Sequence, residues 1–91
     1  MNSLAAARSH VAALAVGVRC DDDRLYVDLS DGRGLSVPLA WFPRLLDASP
    51  RDRSDWRLIG GGEGIHWENI DEDISTQGLL NGECLTRFPH A

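Results

Sequence analysis

Four acidic residues lie within six positions of one another in the second half of the sequence. They are Glu68, Asp71, Glu72 and Asp73, and they follow directly on His66 and Trp67. Neighbouring carboxylates can act as an acid and base pair or hold a divalent cation, and a histidine can carry a proton or bind a metal. The cluster lacks the alternating acids, central glycine and closing glutamate of a calcium loop. We interpret it as solvated charge at the start of a helix.

His66 has no second histidine or cysteine at the spacing that a metal site requires, and we interpret it as a structural, partly exposed side chain. The segment 60–64 contains four glycines and could present backbone N–H groups to an anion. It lacks the lysine and the serine or threonine of a nucleotide-binding loop, and Glu63 would repel a phosphate. We interpret this segment as a flexible turn.

Nucleophilic side chains are present, but no local pattern frames them for catalysis. Neither Cys20 nor Cys84 nor any serine lies in a nucleophile elbow. Two cysteines are also too few for a disulfide scaffold and too far apart for a zinc knuckle, so they are typical of thiols in a reducing compartment. We therefore expect no enzyme activity, no catalytic residues, no metal and no cofactor.

The N-terminal segment is rich in alanine and valine, yet Arg8 and His10 interrupt it. The uninterrupted apolar run is too short for a membrane span, and no clear cleavage site follows a basic start. We expect a cytoplasmic protein with no membrane association.

The net charge of the 91-residue chain is −5, with nine arginines and no lysine against fourteen acids. Phosphate binding requires a basic surface, so we expect no direct contact with nucleic acid. Seven of the nine arginines lie between Arg19 and Arg57, whereas positions 58–86 hold six acids and no arginine. This asymmetry predicts a negative field at one end of the molecule that would attract a basic protein surface.

Hydrophobic periodicity indicates the elements that position these side chains. Apolar residues alternate with polar ones over 25–29 and again at Leu35 and Val37, which is typical of strands with one buried face. Asp31-Gly32 between the two runs predicts a hairpin turn. An earlier strand over 16–20 would complete a three-stranded antiparallel meander.

The second half of the chain predicts shorter elements. Leu39, Phe42 and Leu46 lie on one stripe of a helix, with Trp41 and Leu45 close beside it. The sequence Ser49-Pro50 predicts the start of a second helix that ends near Trp56. Two further strands are predicted on either side of the glycine segment, at 57–59 and 65–67. The last predicted element is a brief helix that contains Ile74, Leu79 and Leu80. Ser75 or Asp73 would cap this helix, and Asn81-Gly82 would end it.

The predicted fold class is α+β, with a small antiparallel β-sheet covered by two or three short helices. The sheet comprises the three-stranded meander and one or two further short strands. The predicted boundaries are an alanine-rich N-terminal segment over 1–15, a single domain over 16–82 and a tail over 83–91. So short a chain buries a small core, and association with itself or with a partner would add stability, so a homo-oligomer is one expectation.

Four runs of the sequence together resemble one bacterial family, the domain of unknown function 2442 family. They are LYVDLSDGR at 25–33, VPLAWFPRLL at 37–46, WRLIGGGEGIHW at 56–67 and IDEDIS at 70–75, followed by Gly78-Leu79-Leu80. The resemblance covers about 16–82 and implies a small α+β domain with an antiparallel sheet and short helices. It supplies no catalytic residues.

The resemblance also implies a class of partner. Some members are encoded beside a small protein of the domain of unknown function 4160 family, in what looks like a toxin–antitoxin pair. Other members carry an added C-terminal helix-turn-helix, for which the residues after Gly82 leave no room, so we expect no direct DNA binding here.

The leading hypothesis is a non-enzymatic protein-interaction module, an antitoxin-like partner that neutralises a small basic toxin. Its predicted contact surface comprises Glu63, His66, Trp67, Glu68, Asp71, Glu72 and Asp73. The alternative that stays open is a small-ligand or metal-binding domain that uses His66 with its neighbouring carboxylates.

Overall fold

The first three strands form an antiparallel meander, as the alternating pattern predicts. In the computed structural model, which describes residues 13–82, they are β1 (Ala15–Cys20), β2 (Arg24–Leu29) and β3 (Gly34–Pro38), in the order β1-β2-β3. The β1–β2 turn is closed by Asp21, whose Oδ1 accepts hydrogen bonds from the backbone N–H groups of Asp23 and Arg24. The β2–β3 turn contains Gly32 at a φ of +94°, a conformation that glycine adopts without strain.

The buried face of this sheet is supplied mainly by alternate residues of β2. Leu25, Val27 and Leu29 are all at most 3% exposed. A β-bulge interrupts the pairing of β1 with β2 between Ala15 and Gly17. Val16, the extra residue of the bulge, is 56% exposed.

The chain leaves β3 through a 3-10 turn (Leu39–Trp41) and a short helix α1 (Pro43–Leu46), where the sequence predicts one continuous helix. The buried side chains here are Leu39, Phe42 and Leu45, while Leu46 is 42% exposed. The predicted place of Leu46 on the buried stripe is therefore wrong. A 3-10 turn has three residues per turn, so the side chains that share one side are spaced by three along the chain.

Helix α2 (Pro50–Arg53) begins where the sequence predicts. The Ser49 hydroxyl accepts a hydrogen bond from the backbone N–H of Asp52 at 3.1 Å, as an N-cap serine does. The helix ends at Arg53, and Trp56 starts the next strand.

The second half of the chain folds into another three-stranded antiparallel sheet. Its strands are β4 (Trp56–Ile59), β5 (Gly64–Trp67) and β6 (Glu72–Ser75), in the order β4-β5-β6. Helix α3 (Thr76–Leu80) follows directly, and the Ser75 hydroxyl, one of the two caps that the sequence leaves open, caps it. The sequence interpretation of Glu72 and Asp73 as charge at a helix start is wrong, because both residues lie in β6.

The core lies between the two sheets and the turns that link them. Its most deeply buried apolar side chains are Leu25, Val27, Leu39, Phe42, Leu45, Ile65, Trp67 and Ile74. Among residues 13–82, no helix is long and apolar enough to cross a lipid bilayer.

The glycine segment joins the two sheets, so the interpretation of it as a merely flexible turn is corrected. The carbonyl oxygen of Gly62 accepts hydrogen bonds from the Ala15 N–H at 2.8 Å and from the Thr76 hydroxyl at 2.7 Å. Gly62 has a φ of +113°, and a Cβ atom placed on it would lie 2.4 Å from the Ala15 carbonyl oxygen. Glycine is therefore required at this junction.

Candidate functional site

A row of three charged or titratable side chains crosses the outer face of the second sheet. Arg57 on β4 pairs with His66 on β5, and His66 pairs with Asp73 on β6. Residues that pair directly across antiparallel strands project from the same face. Neighbouring residues of β5 project from the opposite face, so the row lies on the side away from the core.

His66 contacts a different carboxylate with each ring nitrogen. Nδ1 forms a hydrogen bond with Oδ1 of Asp73, and Nε2 lies 3.0 Å from Oε1 of Glu68. The same Glu68 oxygen lies 3.6 Å from Nη2 of Arg57. The side chain of His66 is 15% exposed and that of Asp73 is 23% exposed, whereas Glu68 is 69% exposed.

These two carboxylates raise the pKa of His66 above its usual value of 6.5. The hydrogen bond to Asp73 is the largest cause, and the negative charges of Asp73 and Glu68 act in the same direction. Partial burial of the ring opposes them, because burial disfavours the charged form. The arrangement therefore favours the imidazolium ion, which donates a hydrogen bond from each nitrogen.

This geometry gives no support to a metal site at His66. A metal ion needs a nitrogen lone pair that faces it, but both ring nitrogens face carboxylates on opposite sides of the ring. In the part of the chain from 13 to 82, no group of three or more histidine, cysteine, aspartate or glutamate side chains is placed to hold an ion.

The turn between β5 and β6, residues 68–71, is called the acidic turn below. It presents Glu68 and Asp71 on the surface. Asp71 has a φ of +52°, a left-handed conformation that aspartate tolerates better than most residues.

Two side chains outside the acidic turn hold it, Arg44 through the backbone of the turn and Asp52 through the side chain of Asn69. Nη1 of Arg44, on α1, donates to the carbonyl oxygens of Ile70 at 3.3 Å and Asp71 at 2.8 Å. The amide of Asn69 donates to the Asp52 carboxylate, on α2, at 3.0 Å. No local sequence pattern indicates Arg44, Asp52 and Asn69, because their contacts join positions 17 to 27 residues apart.

The structure divides the seven predicted contact residues. Glu68 and Asp71 are exposed, and His66 and Asp73 lie half-buried beside them. Glu63 is also exposed, but it precedes β5 while the acidic turn follows that strand. A four-residue strand separates the two ends by about 13 Å.

Trp67 and Glu72 are not available to a partner, which corrects their place in the predicted contact surface. They pair directly across β5 and β6 on the inner face, where Trp67 is 0% exposed and Glu72 is 2% exposed. The indole N–H of Trp67 donates to the Arg53 carbonyl oxygen at 3.0 Å. Trp67 is therefore a core residue.

The tertiary structure also alters the predicted charge separation. Arg44 and Arg57 belong to the arginine-rich part of the sequence, yet both reach the acidic turn or the row beside it. The carboxylates of this region therefore have cationic neighbours that the sequence asymmetry does not show.

A cleft of about 180 Å³ lies beside β1, away from the acidic turn. Its lining includes Cys20 of β1, Arg53 of α2 and Trp56 of β4. Burial raises the pKa of the Cys20 thiol, which keeps it in the weakly nucleophilic protonated form. Cys84 lies outside the described residues.

This fold and site define a small α+β domain of two antiparallel sheets with a fixed acidic turn. The family model Protein of unknown function (DUF2442) matches residues 15–83, so the chain belongs to that family, as the sequence resemblance predicts. No curated protein matches the chain.

Two solved structures are similar to this chain. A protein of unknown function from Rhodospirillum rubrum is 32% identical, with a TM-score of 0.72 over 82% of this chain and 93% of that one. The uncharacterized protein CV0863 from Chromobacterium violaceum is 22% identical, with a TM-score of 0.70 over 90% of this chain and 81% of that one. The second likeness supports the fold alone.

Proposed function

We propose that this protein is a non-enzymatic interaction module that binds a small basic protein through the acidic turn, in the manner of an antitoxin. The observation that carries the proposal is the exposure of Glu68 and Asp71 on a backbone that Arg44 fixes from outside the turn. The cytoplasm is the proposed location, and the free thiol of Cys20 is in keeping with a reducing compartment.

A fixed backbone favours binding because less conformational entropy is lost when a partner docks. The hydrogen bonds from Arg44 to the acidic turn, and from Asn69 of the turn to Asp52, hold the turn on two sides before any partner arrives. The carboxylates of Glu68 and Asp71 are thus displayed in a defined arrangement.

The local charges also suit a cationic partner. Arg57 is 63% exposed and lies 3.6 Å from Glu68, so the pair is open to solvent and contributes little to folding stability. A basic side chain of the partner can therefore bind the Glu68 carboxylate with little loss of folding stability. Long-range attraction would raise the association rate and make binding sensitive to salt.

The described chemistry supports binding over catalysis. Within residues 13–82, His66 has both nitrogens engaged by carboxylates, and the thiol of Cys20 has a raised pKa. A histidine acts as a general base only when one ring nitrogen is free and lies within reach of the nucleophile or substrate proton.

The test has two stages. The tagged protein is first used to capture partners from a lysate of its host at low salt, and we expect one small basic protein in stoichiometric amount that is lost at high salt. The purified partner is then titrated against single Glu-to-Lys variants by calorimetry. We expect Glu68→Lys to weaken the affinity at least ten-fold.

Two matched variants serve as controls. Glu63→Lys makes the same change in the turn at the opposite end of β5, and Asp28→Lys places a lysine on the exposed face of the first sheet. Both should bind nearly as the unmodified protein does. Equal affinity of Glu68→Lys and the unmodified protein would reject the acidic turn as the contact surface.

A further inference from the structure

His66 is the titratable group at the centre of the site, and three charged side chains from three segments face it. Arg57 faces it from β4, Asp73 faces it from β6, and Glu68 reaches it from the acidic turn. The ring thus directly links the exposed carboxylate of Glu68 and the half-buried carboxylate of Asp73.

The two nitrogens of His66 are not equivalent. Nδ1 contacts Asp73, whose side chain is 23% exposed, whereas Nε2 contacts Glu68, whose side chain is 69% exposed. The imidazolium ion donates from both nitrogens, but neutral imidazole has one donor and one acceptor. When the ring loses a proton, one of the two carboxylates must lose its hydrogen bond.

The contact with Glu68 is the one that is lost. Asp73 is more shielded from water than Glu68, which strengthens its hydrogen bond, so neutral His66 keeps its proton on Nδ1. Nε2 then directs a lone pair at the carboxylate oxygen of Glu68, and the two acceptors repel each other. Glu68 is exposed and can move into solvent without disturbing the core.

We propose that His66 is a pH-sensitive switch of the acidic turn: protonated His66 holds Glu68 against the sheet, and neutral His66 releases it. The proton goes to water, and the site becomes more negative by one charge. The part of this inference that concerns a partner rests on the proposed function. In that part, affinity for a basic partner increases as the pH rises through the pKa of His66.

The raised pKa of His66 sets the range of pH over which the switch acts. Because the pKa in the folded protein lies above the unfolded value of 6.5, His66 is more than half protonated at pH 6.5, and the Glu68 contact is formed there. It is lost as the pH rises through the folded pKa. The stability that protonated His66 contributes follows the same course: it is present at low pH and lost as the pH rises.

The switch itself is tested without a partner, by NMR titration from pH 5 to pH 9. The carbon shifts of the His66 ring report its protonation, and the side-chain carboxyl carbon of Glu68 reports the contact. We expect the His66 pKa to exceed 6.5 and the Glu68 signal to move with the same midpoint. A Glu68 signal that stays constant through the His66 titration would overturn the proposal.

Three variants sharpen this test. His66→Gln should remove the Glu68 transition, and it also identifies the ring signals of His66 among the three histidines. Asp73→Asn should lower the His66 pKa more than Glu68→Gln does, because the Asp73 hydrogen bond is the largest cause of the shift. A larger effect of Glu68→Gln would contradict the assigned order of the two contacts.

The partner measurement is separate. Affinity for the purified basic partner should increase several-fold from pH 6 to pH 8.5 in the unmodified protein and stay constant in His66→Gln. If the Glu68 transition occurs but the affinity is insensitive to both pH and Glu68→Lys, the proposed contact surface fails and the switch stands. If the Glu68 transition is missing, the switch fails whatever the partner does.

Discussion

The two sheets share a topology but are held in shape by different parts of the chain. In the first sheet, the strands are five or six residues long, and the turns are closed by their own side chains, such as Asp21 and the Asp31–Arg33 ion pair. In the second sheet, every strand has four residues, and Ala15 and Arg44 from the first half contact its two turns. The turns of the first sheet thus have side-chain support of their own, to which Arg53 of α2 adds contacts at Asp21 and Asp22, whereas the turns of the second sheet are held by residues from elsewhere in the chain.

Their outer faces differ as well. On the first sheet, the Arg19 guanidinium lies 4.0 Å from the centroid of the Tyr26 ring, and Arg24 donates to Ser36. No histidine lies in the strands of this sheet. On the second sheet, His66 lies between two carboxylates. Histidine is the side chain whose ordinary pKa lies closest to neutral pH, so the outer face of the second sheet is the one whose charge we expect to respond to pH.

Loss of the Trp67 side chain should produce the largest effect, because it removes the main core contribution of the second sheet. Trp67 is 0% exposed and also donates its N–H to the Arg53 carbonyl oxygen. Trp67→Ala should lower the free energy of unfolding by about 3–5 kcal/mol, measured by urea denaturation. The half-buried Trp41 provides the control, and an equal loss in Trp41→Ala would contradict the assigned role of Trp67.

A methyl group at the junction of the sheets should have the next largest effect. In Gly62→Ala, the new Cβ meets the Ala15 carbonyl oxygen at 2.4 Å in a left-handed backbone conformation, and we expect a loss of about 2–3 kcal/mol. Gly61→Ala carries the same methyl group at a φ of +68° with open space around it, so its loss should be about 1 kcal/mol. The difference between the thermal denaturation midpoints of the two variants measures the effect of the contact with Ala15. Equal midpoints would contradict the assigned role of Gly62 at the junction of the sheets.

The smallest expected effect on stability comes from removing an arginine that contacts a turn, and we compare one such arginine for each sheet. Arg44→Met removes the hydrogen bonds to the acidic turn and should cost about 1 kcal/mol, with faster amide hydrogen exchange at 68–71. Arg33→Met removes an exposed ion pair within its own turn, and its effect on stability should not be measurable. If exchange at 68–71 is unchanged in Arg44→Met, the turn is not held from outside.

The sequence by itself determined the family, the α+β class and the first sheet. Leu25, Val27 and Leu29 alternate over a full strand, and Asp31-Gly32 marks the hairpin that follows it. The caps at Ser49 and Ser75 were also predictable. All of these features rest on neighbours within a few positions, where side-chain type restricts the backbone directly.

Only the tertiary structure decided β6 and the composition of the candidate site. Strand β6 has four residues and begins with Glu72 and Asp73, so its sequence has too little periodicity to predict a strand. The register of β5 with β6 places Trp67 and Glu72 on the inner face of the sheet and His66 and Asp73 on its outer face. The hydrogen bonds from Arg44 to the acidic turn join residues that lie 26 and 27 positions apart in the sequence. Such contacts form because burial of the core brings distant segments together, and no local preference encodes them.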